Sequence, residues 1–354
     1  MFKYIVNYNI MAEKFNQFKD SGLTGLVNIG NTCYLNSCLQ LLSHTYELNI
    51  FLQTNKRILN NNNESKIYTE WNNLRNMMWS ENCTIAPYGF VKSVQEIARI
   101  KGYEMFTGFA QNDVFEFLLF IIDCLHESLK REVEMKINGV VKNSKDILAK
   151  KCYEMMKNMY KREYSEILNI FYGISVTQIK DYITNEVLSV APEPFSILSL
   201  SIPKSNNCSI FDCLNYYTQN EYLIDDNQWH NDKTNKKQNA IKNIIFWNLP
   251  NVLIIELKRY NNNQQKIHTL VTTPLTDLDL SEYVAGYESE NCVYDLFGTG
   301  NHSGSVYGGH YTANIKNANG KWYCFNDTFI NEISEDRIIT AHTYCLFYRK
   351  KNKD

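Results

Sequence analysis

The sequence predicts an α+β protein with a helical first half and a mainly antiparallel β second half. Three observations carry this expectation. Up to about residue 168 the apolar residues recur at helical spacing. From about Phe171 onward they fall into short runs rich in Val, Ile, Phe and Tyr, separated by polar and turn-forming residues. A chain of 354 residues that is 44% hydrophobic and 21% charged can bury a sizeable core, which argues against global disorder.

Taken in order, residues 1–22 read as a polar N-terminal leader, and Thr24-Gly-Leu-Val-Asn-Ile-Gly-Asn-Thr-Cys33 as a glycine-punctuated loop. A helix is expected from Cys33 to about residue 45, because Leu35, Cys38, Leu39, Leu41 and Leu42 recur on helical spacing. Residues 60–63 mark a loop, and Trp71, Leu74, Met77 and Met78 a second amphipathic stretch. A long helix is expected over about 112–130, apolar around much of its circumference and therefore buried. Residues 142–168 form a further helical, charge-rich region. Strands are expected at 187–190, 195–202, 244–247, 252–260, 293–297, 311–316, 321–325 and 344–348, with a polar turn region over 227–239. A helical lobe beside a strand lobe makes the cleft between them the natural place for a site.

Composition narrows the function. A formal net charge of −2 gives no electrostatic reason to expect a nucleic-acid partner. The best apolar stretch, 114–125, carries Glu116 and Asp123 and falls short of the roughly 18 apolar residues a membrane span needs. The N-terminal residues lack the basic and apolar regions of a secretory signal, so an intracellular protein, cytoplasmic or nuclear, is expected. Its ten cysteines are then reduced thiols. No CxxC pair occurs, and Cys33–Cys38 and Cys208–Cys213 are five apart, about 140° around a helix, so structural zinc is not expected. A monomer without cofactor is the expectation.

Three segments carry candidate chemistry. In Asn28-Ile-Gly-Asn-Thr-Cys33, a thiol at a helix start would meet unpaired N–H groups that favour the thiolate. Gly30 would let the loop approach that terminus, and Asn28 would offer an amide N–H to an oxyanion. In Tyr307-Gly-Gly-His310, the histidine follows two glycines and begins a strand, so its ring can face a narrow groove. In Lys321-Trp-Tyr-Cys-Phe-Asn326-Asp327, a strand ends in two polar groups. A regular hairpin through Asn317-Ala-Asn-Gly320 pairs Lys316 with Lys321 and sets Asp327 opposite His310, whereas a one-residue bulge presents Asn326 instead. Together these form a Cys–His–Asn/Asp set in which histidine takes the thiol proton and the third group fixes its tautomer. For each segment alone, a buried cysteine, an ordinary histidine and a polar strand end are the competing bland readings.

The same residues resemble a known family. Gly25-Leu-Val-Asn-Ile-Gly-Asn-Thr-Cys-Tyr-Leu-Asn-Ser-Cys-Leu-Gln40 is similar to the cysteine box of ubiquitin-specific proteases, and Gln111-Asn-Asp-Val-Phe-Glu-Phe-Leu to their glutamine–aspartate box. Leu249-Pro-Asn-Val-Leu-Ile-Ile-Glu-Leu-Lys-Arg-Tyr260 resembles their palm strand, and Gly309-His-Tyr-Thr-Ala with Trp322-Tyr-Cys-Phe-Asn-Asp327 their histidine box. The blocks stand in the family's order and span about 23–349.

The resemblance implies a papain-like thumb, palm and fingers over residues 23–350, with the helical thumb at about 23–168, fingers at 169–245 and palm at 246–350. It implies a deubiquitinase that cleaves after the C-terminal glycine of ubiquitin through a thioester, with ubiquitin and ubiquitinated proteins as partners. Cys33 becomes nucleophile, His310 general base and acid, Asn326 the third member, Asn28 an oxyanion donor and Asp327 a supporting group. Asp113 and Glu116 become candidates for binding the basic ubiquitin tail, beside the plainer reading of an acidic helix start. The family's two zinc-binding CxxC pairs are replaced by Asp181-Tyr-Ile-Thr184 and Asn231-Asp-Lys-Thr234, so zinc-free fingers are expected. An inactive ubiquitin-binding scaffold and a protease for another ubiquitin-like modifier are the alternatives.

Overall fold

The computed structural model describes residues 15–55, 57–205 and 207–351. Its first half contains α1 (Cys33–Ser43), α2 (Tyr46–Thr54), α3 (Ser65–Ser80), α4 (Tyr88–Lys101), α5 (Val114–Leu129), α6 (Ser144–Glu163) and α7 (Glu166–Phe171). The short strands β1 (Gly25–Leu26) and β2 (Thr84–Ile85) pair in parallel beside them. Helices α2 and α4 lie in stretches to which the sequence assigns no element, although α4 buries Phe90, Val91, Val94 and Ile97 along one regular face.

All eleven residues of α1 are buried, not only its apolar stripe. Its polar members are tolerated because they donate: Gln40 Nε2 to Thr24 O at 2.7 Å, and Asn36 Nδ2 to Leu26 O at 3.2 Å. Helix α5 buries twelve of its sixteen residues, as its near-continuous apolar run demands. Among the described residues, no helix is long and apolar enough to cross a membrane.

Residues 1–14 of the expected leader lie outside the described residues. Residues 15–22 differ from expectation, because they pack. Phe18 is buried and stacks on Tyr46 at 4.6 Å, and Asp20 N donates to Asn317 Oδ1 at 3.1 Å. Two aromatics, Phe15 and Phe18, supply the apolar surface that a polar average conceals.

The second half begins with β3 (Gly173–Asp181), β4 (Val187–Phe195), β5 (Ile197–Ser201), β6 (Cys208–Ser209), α8 (Ile210–Thr218), β7 (Glu221–Leu223), β8 (Trp229–Asn231), β9 (Lys236–Gln238) and β10 (Ala240–Asn248). It continues with β11 (Val252–Lys258), β12 (Val271–Thr272), β13 (Leu278–Asp279), β14 (Val293–Ser305), β15 (Gly308–Lys316), β16 (Trp322–Asn326), β17 (Phe329–Ile333) and β18 (Thr343–Lys350). Strands β4-β3-β10-β7 form one sheet, and the expected polar turn at 227–239 contains the β8–β9 hairpin. The stretch 169–245 is not one continuous unit. Strand β5 leaves to pair in parallel with β11, and α8 packs Cys213 and Leu214 into the core under the large sheet.

That large sheet has the order β17-β16-β15-β14-β18-β11-β5, with β13 on β14. Its strands alternate between two cores. Val252, Ile254, Cys345 and Phe347 face the helices, whereas Leu253, Ile255, Leu346 and Tyr348 face the opposite core. Arg349 ties helical half to sheet: its Nε donates to Glu47 Oε1 at 2.6 Å and its Nη2 to His44 O at 3.1 Å. The contact of α1 with β15 brings the segment after Cys33 against the strand that carries His310.

Candidate active site

The cysteine half is built around one amide oxygen. Asn28 Oδ1 accepts from Gly30 N at 3.2 Å, Thr32 N at 3.0 Å and Thr32 Oγ1 at 3.3 Å, winding residues 28–32 into a tight loop. With that oxygen occupied, Asn28 Nδ2 donates to Asp327 Oδ2 at 3.0 Å and keeps a second N–H. Gly30 has φ of +117°, a conformation that favours glycine, and a Cβ there would press on the Phe109 ring at 3.1 Å.

Cys33 is the first residue of α1 and is 2% exposed. Burial pushes its thiol above the ordinary value, the backbone of Tyr311 pulls it down, and the charge of Asp327 raises it. Burial thus works against the thiolate expected at a helix start. Desolvation of the buried sulfur outweighs the helix terminus. Tyr311 is the residue after His310, so its contact with Cys33 sets the two halves side by side.

On the histidine half, His310 Nε2 lies 2.6 Å from Asn326 Oδ1. The hairpin differs from the regular one that sequence arithmetic favours. Lys316 pairs with Trp322, not Lys321, because Asn317 N donates to Lys321 O and Gly320 N to Asn317 O, enclosing a longer turn. One residue of register moves every side chain to the other face. His310 and Asn326 consequently share a face and Asp327 does not stand opposite the imidazole. Asp327, at φ of +49°, turns back instead, accepting from Asn28 Nδ2 and, at 2.8 Å, from Asn36 Nδ2. It joins the loop before Cys33 to the first turns of α1.

Asp113 is the N-cap of α5, with Oδ1 accepting from Phe115 N at 2.8 Å and Oδ2 from Tyr344 OH at 2.8 Å. Glu116 is exposed in the first turn of α5. A third carboxylate, half-buried Glu256 on β11, belongs to the same group. Burial raises its pKa, Ser199 OH lowers it by hydrogen bonding, and Asp113 and Glu116 raise it further. The sequence reading missed Glu256, although an acidic residue inside an apolar strand run was a visible signal. His302 was also missed. It is buried, receives hydrogen bonds at Nδ1 from Tyr260 OH at 3.1 Å and Lys266 Nζ at 3.0 Å, and is pushed down to about 4, chiefly by burial.

The positions expected to replace the family's zinc ligands are engaged in turns. Asp181 Oδ1 accepts from Ile183 N at 2.9 Å and Thr184 N at 2.8 Å, and Asn231 Oδ1 from Lys233 N at 3.0 Å. Thr184 Oγ1 turns to the same Asp181 oxygen at 3.1 Å. A set of two threonines, one amide and one carboxylate engaged in its own turn does not fit zinc.

Comparison with known proteins accounts for this arrangement. The family model described as ubiquitin carboxyl-terminal hydrolase matches residues 24–348. The human protein named ubiquitin carboxyl-terminal hydrolase 2 is 32% identical over 349 residues, covering 94% of this chain and 56% of that protein. The chicken protein of that name is 33% identical over 345 residues, covering 92% and 93%. The chain thus spans about half the length of the human relative, 56%, and nearly all of the chicken one. Among solved structures, a chain of the SAGA DUB module with Ubp8, bound to monoubiquitin, superposes with a TM-score of 0.72 at 23% identity, covering 99% of this chain and 76% of that one. That likeness establishes the thumb–palm–fingers fold. The ordered boxes, the shared fold and a family match over almost the whole chain leave one assignment: the protein belongs to the ubiquitin carboxyl-terminal hydrolase family, in its ubiquitin-specific protease branch.

Proposed function

We propose that the chain is a thiol-dependent deubiquitinase, hydrolysing the peptide or isopeptide bond after the C-terminal glycine of ubiquitin. The observation that carries this reading is the His310–Asn326 contact of 2.6 Å, on the strand whose next residue touches Cys33. Because Asn326 Oδ1 only accepts, Nε2 of neutral His310 carries the proton and Nδ1 offers the lone pair. Nδ1 then takes the Cys33 proton as sulfur attacks the scissile carbonyl carbon. The oxygen becomes an oxyanion, to which the second N–H of Asn28 can donate. Collapse expels the amine with the proton from His310 and leaves a thioester. Water, deprotonated by His310, releases the ubiquitin carboxylate and restores the thiol.

The raised pKa of Cys33 suits this order of events, since the proton leaves only when substrate and base are in place. We read Asp327 as the residue that holds Asn28 on station, and Asp113, Glu116 and Glu256 as the negative wall for the basic tail. The similar SAGA module is bound to monoubiquitin, which supports ubiquitin as partner. The turn duties of Asp181 and Asn231 support a reading of the fingers as metal-free. All ten cysteines are free, in keeping with a reducing, intracellular setting.

The test is ubiquitin carrying a thiol-reactive group at its C-terminus, mixed with wild type, Cys33→Ala and His310→Ala and mapped by mass spectrometry. An adduct at Cys33, absent in the alanine variant, is expected. Folded protein that binds ubiquitin without forming an adduct would favour the scaffold reading, and absence of binding would direct the search to other ubiquitin-like modifiers.

A further inference from the structure

We propose that Gln111 is a positioning residue for His310, clamping the peptide unit that carries the catalytic imidazole. The proposal rests on the hydrolase reading above. Gln111 Nε2 donates to Gly309 O at 2.6 Å and Gln111 Oε1 accepts from Gly309 N at 2.7 Å. One side-chain amide therefore holds both the donor and the acceptor of a single residue, 198 positions away in sequence. Two parallel hydrogen bonds fix the rotation of that backbone as well as its position, and the residue so fixed directly precedes His310.

The surroundings show that the clamp is built on both sides. A Cβ on Gly309 would collide with the Ser303 carbonyl oxygen and with the His302 ring, so the residue is wedged between the neighbouring strand with its buried imidazole and the Gln111 amide. A Cβ on Gly308 would stand 3.0 Å from Gln111 Oε1. The two glycines thus serve the approach of Gln111, His302 and the Ser303 backbone as well as any slim substrate tail.

Gln111 also belongs to a segment that grips the cysteine half. Asn31 Nδ2 donates to Phe109 O at 3.0 Å, the Phe109 ring lies over Gly30, and Asn112 Nδ2 donates to Tyr34 OH at 3.2 Å. Residues 109–113 consequently hold the loop before Cys33 at one point and the strand end before His310 at another. Nucleophile and base, far apart in sequence, take their mutual position partly from this connector. Gln111 is exposed, so its substitution leaves the cores intact.

Two variants of the full chain test the clamp. Gln111→Met keeps the length and removes both hydrogen bonds; Gln111→Glu keeps an acceptor for Gly309 N–H and removes the donor to its carbonyl. With a fluorogenic ubiquitin substrate, Gln111→Met is expected to lower kcat about tenfold or more with KM within about twofold, and Gln111→Glu to fall between it and wild type. Amide exchange at Gly309 is expected to accelerate about tenfold in Gln111→Met at unchanged melting temperature. A kcat within about twofold of wild type, or a raised KM at constant kcat, would overturn the positioning role. Should wild type itself turn over no ubiquitin substrate, the hydrolase reading fails separately. Exchange at Gly309 then decides the clamp, and unchanged exchange in Gln111→Met refutes it.

Discussion

The active-site cleft and the finger tips face the same task, holding a polar turn in one shape, and they meet it differently. At the tips the contacts are local: Asp181 accepts from residues two and three ahead, and Asn231 from the residue two ahead. Around Cys33 they span the chain: Asn28 and Asn36 reach Asp327, and Gln111 reaches Gly309. A local turn closes a short loop and forms almost independently of the rest. A contact across some 300 residues, such as Asn28 with Asp327, exists only once the whole fold has ordered the groups that make it. The cleft is thus a product of tertiary closure, and the tips are close to autonomous.

The comparison is broken most sharply at the proposed nucleophile. Cys33→Ala is expected to lower turnover by about 10⁴-fold or more while ubiquitin binding survives, read by a fluorogenic substrate and by calorimetry. Loss of binding along with turnover would point to a folding defect and undo the role. Next in size, Asn326→Ala should cost about a hundredfold in kcat/KM through the lost hold on His310. Asp327→Asn, which keeps a residue tolerant of the positive φ, should cost about tenfold through a loosened Asn28. If the two effects reverse in rank, Asp327 and not Asn326 is the orienting group.

A gentler probe uses pH. Because the Cys33 thiol is raised from 9.0, chiefly by burial, its alkylation by a small reagent without substrate should still be climbing at pH 9.0. A plateau near neutrality would reveal a preformed thiolate. The smallest effect belongs to the tips. Asp181→Ala should lower the melting temperature by no more than about 2 °C, and a zinc chelator should leave activity unchanged. Inhibition by the chelator would show a metal in the fingers after all.

Much of this was legible in residues alone. The helix from Cys33, the long α5, most of the large-sheet strands and the three segments of candidate chemistry follow from spacing and turn chemistry, which are local properties; β13 and β17 were not expected. The sequence reading failed where a neighbour far along the chain intervened. Phe15 and Phe18 read as leader until Tyr46 and Trp79 are beside them. Glu256 reads as a strand residue until Asp113 and Glu116 share its field.

The sequence by itself determined the helix-then-strand order and the family, and it named the candidate reactive groups, because periodicity, glycine placement and side-chain chemistry are written one residue at a time. Only the tertiary structure decided that Asn326, not Asp327, meets His310, because a single extra residue in the 317–321 turn reverses the strand's faces. Only it decided that the Cys33 thiol is raised, because desolvation depends on everything packed around the sulfur and not on its place at a helix start.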